Sequence, residues 1–212
     1  LGYNRLFRFV AHPETELPSL KIECDLCLAW TFIDPITLEV ELHPDAQWQD
    51  ADNFMSRPIT PQDILWSLER LRQPGSPHEY LLDSVDNIDI VGDRIVRFTL
   101  HYPDADLLLK LASPYAVIMA PDSLDAVNLR TGRVLGAGAW RYVRGGTGQV
   151  TLTAWEDYFR DAEPTASVVK FLPVAKLDTG VVLLDLDRVD IAQVTELQWA
   201  AMDHERYDSV VV

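Results

Sequence analysis

The sequence predicts an α/β fold in which helices lie on mixed β-sheets. In the first half, strictly alternating apolar and polar residues at 36–43 are followed, after a loop, by an amphipathic segment at 60–71. In the second half, an apolar run, a helical segment and another apolar run occupy 168–174, 177–184 and 189–194. The first pattern is typical of a half-buried strand with a helix packed on its sheet. The second is typical of a βαβ unit with a parallel strand pair.

The stretch from Ile36 to Leu71 organises the first half of the chain. Leu38, Val40 and Leu42 alternate with polar residues, which places the apolar side chains on one face of a strand. A polar loop from His43 to Pro58 follows and carries Trp48 and three aspartates.

The helix after this loop has recognisable ends. Thr60 is a suitable N-cap, Pro61 suits the first helical position, and Asp63 can satisfy amides and complement the positive helix end. The Gln73-Pro74-Gly75 sequence ends the helix. Four apolar residues share one helical face: Ile64, Leu65, Leu68 and Leu71.

Further elements follow from local signals. Strands at 87–91 and 94–100 flank Gly92-Asp93, whose leading glycine suits a two-residue type II′ turn. A helix is predicted to begin at Pro103-Asp104, and a short strand is predicted at 115–119. Trp30, Trp66 and Trp155 lie within periodic patterns and are predicted to be core residues. Residues 141–144 and 149–155 form a predicted hairpin around the glycine-rich turn 145–148.

The 36–71 stretch resembles the extracellular solute-binding proteins of peptide and nickel ABC importers (family 5). Asp63, Ser67, Leu68 and Arg70 stand where that family has its Asp, Ser, Leu and Arg in the same order. The family's His-Asp-Gly turn is replaced here by residues 49–52.

A second signature is Gly136-Ala137-Gly138-Ala139-Trp140, in which the glycines allow a tight turn or a close approach to another group. A phosphate-binding loop is disfavoured because a hairpin follows rather than a helix. The segment is similar to the family's Gly-Thr-Gly-Pro-Tyr motif, with Ala137 replacing threonine and Ala139-Trp140 replacing proline-tyrosine.

The resemblance implies a periplasmic-binding-protein type II architecture. Residues 1–122 would form a peripheral mixed α/β domain, and residues 123–212 a partial first lobe with the hairpin and the βαβ unit. The second lobe of the family would be absent. Since the first residues resemble the interior of a fold, we expect the natural protein to extend further upstream.

Cys24 and Cys27 are the two cysteines of the sequence. Their spacing is compatible with incidental structural thiols, with a short-loop disulfide, or with a redox or metal module. The five histidines form no ligand-spaced pair that would complete a zinc site, so we predict neither a metal nor another cofactor.

Composition excludes several function classes. The net charge of −15 argues against nucleic-acid binding, whose phosphates require Lys and Arg. No apolar run reaches the roughly 20 residues of a membrane span. No G-x-S-x-G, H-E-x-x-H, Walker or dinucleotide motif occurs and no carboxylate pair is nominated by spacing, so we expect no enzyme activity.

Four residues are the predicted ligand-binding candidates. Tyr80 and Trp140 are aromatic residues beside loops or glycines, although most such rings fill cores. Gln193 and Thr195 follow the last predicted strand, where ligands of open α/β sheets bind. The alternative is that Gln193 is solvated and that Thr195 only caps a helix through Gln198.

These observations predict a substrate-binding component of an ABC importer that captures a peptide or similar small solute by closure of two lobes. Its expected partners are that ligand and the membrane permease, and we expect a monomer. The expected location is the periplasm or the cell exterior, with a lipid anchor as one option for the full-length protein. The alternative function is the solute-sensing domain of a transcriptional regulator, and a third is a redox or metal module at Cys24 and Cys27.

Overall fold

The computed structural model describes residues 2–10, 19–50, 54–122, 135–144, 148–160 and 166–208. These residues form two units. The first contains residues 1–145 and 150–170, and the second contains residues 146–149 and 171–212. The domain division predicted at residue 122 stays a prediction, because residues 123–134, which follow it, lie outside the described residues.

Strands and helices alternate along the chain in both units, as expected of an α/β protein. The strands are β1 (Phe7–Phe9), β2 (Ile22–Cys24), β3 (Cys27–Asp34), β4 (Thr37–Leu42), β5 (Val85–Val91), β6 (Ile95–Leu100), β7 (Trp140–Arg144), β8 (Val150–Ala154) and β9 (Val168–Phe171). The α-helices are α1 (Pro61–Leu71), α2 (Leu107–Leu111), α3 (Leu177–Asp185) and α4 (Glu196–Ala200), and a 3₁₀ turn covers Glu79–Leu82.

Three sheets are formed. The central one has four strands in the order β3-β4-β6-β5, all paired antiparallel. A small pair joins β1 to β2, and a three-stranded sheet has the order β7-β8-β9. The predicted alternation in β4 is confirmed, because Leu38, Val40 and Leu42 are buried while Glu39 and Glu41 are only partly so.

The start of α1 is confirmed in detail. Thr60 is the N-cap, Pro61 is the first helical residue, and the Asp63 carboxylate accepts a hydrogen bond of 2.9 Å from the Thr60 N–H. Ile64 and Leu68 are buried on the sheet side, and Leu65 and Leu71 pack at the edge of the same core.

The β5–β6 turn is longer than predicted. Val91 pairs with Ile95, so the connection contains three residues rather than two, and its first residue, Gly92, has a φ of 62°. The glycine is therefore used for its left-handed conformation, but not in a two-residue turn.

Two other local predictions are wrong. Helix α2 begins at Leu107, not at Pro103, because the Asp104 side chain accepts the Asp106 N–H at 2.9 Å and forms a turn of its own. Residues 115–119 form no strand, since their backbone makes single bonds, from Ile118 to the Asn4 carbonyl and from Met119 to Ser67 Oγ, instead of a ladder.

The predicted βαβ unit is only partly present. Strand β9 and helix α3 lie as expected, but residues 189–194 form no strand, and β9 lies beside β8 instead. A strand requires a hydrogen-bonding partner, and within the described part of the chain no segment is paired with 189–194. Ile191 is accordingly 90% exposed.

The core predictions for tryptophan are mixed. Trp155 is buried as expected, whereas Trp66 is half-buried and Trp30 is 39% exposed at the edge of the central sheet. The fully buried tryptophan is Trp48, whose loop packs against the start of α1. Tertiary packing therefore decides burial where periodicity does not.

Candidate functional site

Tyr80 lies in the 3₁₀ turn that follows α1 and is 53% exposed. Its ring stands edge-on to His78, with 6.2 Å between the ring centroids. His78 is in turn stacked on Tyr115, at 3.8 Å between centroids and 12° between planes. We call His78, Tyr80 and Tyr115 the aromatic cluster.

Local sequence explains how Tyr80 reaches the surface. Gly75 adopts a φ of 87° after α1, and its N–H donates to the Glu79 carboxylate at 3.0 Å. Leu81 and Leu82, which follow Tyr80, are buried and hold the turn against the core. Tyr80 is thereby left facing solvent on an anchored turn.

The aromatic cluster offers a stacking surface. Tyr115 is 55% exposed, so two tyrosines present ring faces and hydroxyl groups to solvent. His78 Nδ1 is buried and accepts or donates no hydrogen bond. Such a surface suits the flat or apolar part of a small ligand, with hydroxyls available to orient its polar part.

Trp140, the second predicted residue, is half-buried at the start of β7. Its carbonyl oxygen accepts a hydrogen bond of 3.0 Å from Gln49 Nε2, which also donates to the Gly138 carbonyl at 2.7 Å. The Gln49 N–H donates to the Gly136 carbonyl at 2.9 Å. Gln49 is 2% exposed, and its three bonds fix the segment from Gly136 to Trp140 to the loop after β4.

Gln49 was missed by sequence reasoning. Its position in place of the family's His-Asp-Gly turn was the available signal, but a glutamine in a polar loop is usually solvated. The glycine prediction is confirmed at Gly136, where an added Cβ would lie 1.7 Å from the Gly2 carbonyl oxygen.

Arg141 extends this junction on the surface. Its guanidinium donates to both the carboxylate and the carbonyl oxygen of Asp50, and it lies 5.8 Å from the ring of the buried Trp155. The hydrogen bond from Arg141 lowers the pKa of Asp50 below its ordinary value, against an opposing effect of burial. The junction therefore holds a charge pair beside the candidate Trp140.

Gln193 and Thr195 lie in the second unit, and both are exposed. Thr195 caps α4: its Oγ1 accepts the Gln198 N–H at 3.2 Å, and its N–H donates to the Gln198 side chain at 2.9 Å. The capping alternative is thus confirmed for Thr195. Ligand contact by either residue stays a prediction, as it does for Tyr80 and Trp140, which no described hydrogen bond or ring contact joins to each other.

The second unit contains an open groove of about 480 Å³ between α3 and the segment from α4 onward. Its wall combines apolar residues with three carboxylates and one arginine. The lining residues are Asp178, Val181, Val182, Asp185, Gln198, Ala201, Met202, Asp203, Arg206 and Tyr207. None of the four predicted ligand-binding residues lines it.

The cysteine alternatives are resolved in favour of a disulfide between Cys24 and Cys27, whose Cα atoms are 4.9 Å apart. The carbonyl oxygens of Cys24 and Asp25 accept hydrogen bonds from the Arg160 guanidinium. The Asp25 carboxylate, 3% exposed as a residue, accepts the Asn4 side chain at 2.7 Å and the Arg5 N–H at 2.9 Å. The disulfide therefore closes a loop that serves as a structural anchor.

Within the described ranges, no group of three His, Cys, Asp or Glu side chains is placed to hold a metal ion. No helix among the described residues is long and apolar enough to cross a membrane.

Comparison with known proteins places the chain among binding proteins. It is 25% identical over 191 residues to a di/tripeptide-binding protein 4 of Pseudomonas aeruginosa, covering 79% of this chain and 34% of that protein. It is 30% identical over 108 residues to the peptidoglycan-binding protein YepA of Agrobacterium fabrum, covering 49% of this chain and 17% of that protein.

A solved structure shares the fold. The ABC transporter-associated periplasmic binding protein DppA of Helicobacter pylori, in complex with a peptide STSA, superposes with a TM-score of 0.75 at 18% identity. The match covers 88% of this chain and 40% of that one, so the 212 residues span less than half of these relatives. The profile of the bacterial extracellular solute-binding proteins, family 5 (Middle), matches residues 21–211, and the chain belongs to this family.

Proposed function

We propose that the chain captures a peptide or a similar small solute for an ABC importer and releases it unchanged. The observation that carries this proposal is the family match over residues 21–211. Two relatives are named for binding di/tripeptides and peptidoglycan, and a solved relative with the same fold holds a peptide and is associated with an ABC transporter.

The mechanism we propose is closure of two lobes around the ligand, with these residues supplying one wall of the cleft. Residues 1–122 would be the peripheral domain and residues 123–212 part of the first lobe. Backbone pairing and polar contacts would hold the ligand, and no bond would be made or broken. Tyr80 and Trp140 would contact the ligand from the first unit, and Gln193 and Thr195 from the second.

The aromatic cluster supports this assignment physically. Exposed, stacked rings on an anchored turn lose little conformational freedom when a ligand covers them, so they gain more from each contact than mobile side chains do. The cluster therefore favours ligands with an aromatic or apolar side chain next to a polar backbone.

The disulfide supports a location outside the cytoplasm. Disulfides persist in oxidising compartments such as the periplasm and the cell exterior, and they are rare in the reducing cytosol. The Cys24–Cys27 bond fits the extracellular family to which the chain belongs.

Native mass spectrometry of the full-length protein isolated from its host tests the proposal. We expect a bound species with the mass of a short peptide or comparable solute, which is released intact on denaturation. The Tyr115→Ala variant should retain less of it than the wild type, while the exposed Tyr102, which makes none of the ring contacts of the cluster, provides the matched control Tyr102→Ala. A covalently altered ligand, or a bound nucleic acid, would contradict the proposal.

A further inference from the structure

Strand β3 forms one edge of the four-stranded sheet and pairs there with β4 alone. It is eight residues long. Its first residue, Cys27, donates its N–H to the Leu6 carbonyl at 3.4 Å, but from Leu28 onward no described residue pairs with its outer side. Backbone groups along that side are free to pair with another strand.

The two edges of this sheet differ in charge. The opposite edge strand, β5, carries the exposed carboxylates Asp86 and Asp89, which would repel an incoming acidic strand. Strand β3 has no charged side chain between Cys27 and Ile33, nor a proline. One edge is therefore protected against pairing and the other is open.

The open edge also exposes large apolar side chains. Leu28 is 50% exposed, Trp30 39%, Phe32 43% and Ile33 59%. Trp30 pairs with Val40 and Phe32 with Leu38, and opposed residues of an antiparallel pair project from the same face. Since Val40 and Leu38 are fully buried, Trp30 and Phe32 continue the buried face of the sheet past its last strand.

We propose that β3 pairs antiparallel with β3 of a second copy of the chain, about a two-fold axis at Thr31. In this register Trp30 of each copy lies opposite Phe32 of the other, which forms two aromatic cross-strand pairs. Ala29 lies opposite Ile33, and Asp34 lies opposite Leu28, so no carboxylates meet. The sequence of the strand is thus complementary to itself.

The geometry limits the assembly to two copies. A two-fold contact uses the same edge of both molecules, and the charged β5 edge offers no second site of this kind. Because each copy carries a net charge of −15, their mutual repulsion opposes pairing. Salt screens this repulsion, so the dimer is expected to tighten as ionic strength rises.

Sedimentation equilibrium of the purified chain at low and at high salt tests the proposal. We expect a monomer–dimer equilibrium with a smaller dissociation constant at high salt. Thr31→Lys and Thr31→Glu each place like charges face to face on the axis and should weaken the dimer at least about tenfold, whereas their mixture should restore it. Asn87→Lys adds the same charge to the exposed β5 edge and should have no effect.

Thermal unfolding of each variant separates loss of pairing from loss of folding. If one Thr31 variant fails to fold, the other still tests the axis against Asn87→Lys. The proposal is overturned if the wild type remains a monomer at high salt, which the sequence led us to expect. It is also overturned if both Thr31 variants dimerise like Asn87→Lys, or if two folded Thr31 variants fail to associate when mixed.

Discussion

Arg57 and Asp63 are joined at two points, with guanidinium Nη1 and Nη2 lying 2.8 and 2.9 Å from the two carboxylate oxygens. The Asp63 side chain is only 4% exposed, and it also accepts the Trp48 indole N–H at 3.2 Å and the Thr60 N–H at 2.9 Å. One buried carboxylate thus connects the loop after β4 to the first turn of α1.

Replacing Asp63 by alanine should lower the free energy of unfolding by about 3–5 kcal/mol, because it leaves the Arg57 charge and the buried Trp48 N–H without this partner. Urea denaturation followed by tryptophan fluorescence measures the change. Asp122→Ala removes the other carboxylate bound to Arg57, but its side chain is 53% exposed, so the expected cost is below about 1 kcal/mol. Equal costs for the two variants would contradict the assignment.

The pair Asp104–Lys110 should make stability depend on pH. Burial raises the pKa of Asp104, but hydrogen bonds from Lys110 at 2.8 Å and Ser84 at 2.6 Å outweigh burial and lower it below the ordinary value. Burial lowers the pKa of Lys110, but its bonds to Asp104 and Asp83 raise it to about 12.

The sign follows from the two directions. A carboxyl group with a lowered folded-state pKa stabilises the fold above about pH 4, and this contribution is lost as pH falls through the folded-state value. The raised pKa of Lys110 gives stability that is present below 10.5 and lost as pH rises through about 12. The difference in unfolding free energy between wild type and Lys110→Met should therefore shrink in acid. A difference that stays constant from about pH 7 to about pH 2 would contradict the pairing.

Gly136 and Gly180 should respond oppositely to alanine. At Gly136 the new Cβ would collide with the Gly2 carbonyl oxygen at 1.7 Å, so Gly136→Ala should cost more than about 3 kcal/mol. At Gly180, inside α3, the new Cβ would meet Ala192 at 3.6 Å, an ordinary contact, and the helix should gain up to about 1 kcal/mol. Thermal unfolding followed by circular dichroism compares them, and a Gly136→Ala variant as stable as the wild type would contradict the packing.

Reduction of the Cys24–Cys27 bond should lower the free energy of unfolding by about 2 kcal/mol, the amount expected for a short closed loop. Urea denaturation with and without a dithiol measures this, and the Cys24→Ser/Cys27→Ser double variant, on which the reductant should have no effect, is the control. Titratable thiols in the untreated protein, or stoichiometric zinc, would show that the cysteines serve another purpose.

Sequence periodicity and capping chemistry predicted β4 and α1 correctly because both are local signals. The partner of Asp63 could not be predicted in the same way, since Arg57 lies in an irregular loop whose path depends on the buried Trp48. Residues 189–194 show the converse, because an apolar run has strand propensity but forms a strand only beside a partner.

The candidate site was predictable only in part. Tyr80 followed from its place in a loop, but His78 and Tyr115 are far apart in sequence and meet through the fold. Gln49 likewise contacts residues about ninety positions away. Long-range contacts of this kind carry no periodic signal in a single sequence.

Isothermal titration calorimetry with one short peptide tests the central claim, non-catalytic capture by two closing walls, most directly. The account predicts that the full-length protein from its host binds the peptide with one-to-one stoichiometry and that the peptide is recovered intact. It predicts binding at least about a hundredfold weaker for the 212-residue chain alone, because one wall cannot exclude water from the ligand. Equally tight binding by the 212-residue chain, or cleavage of the peptide, would contradict it.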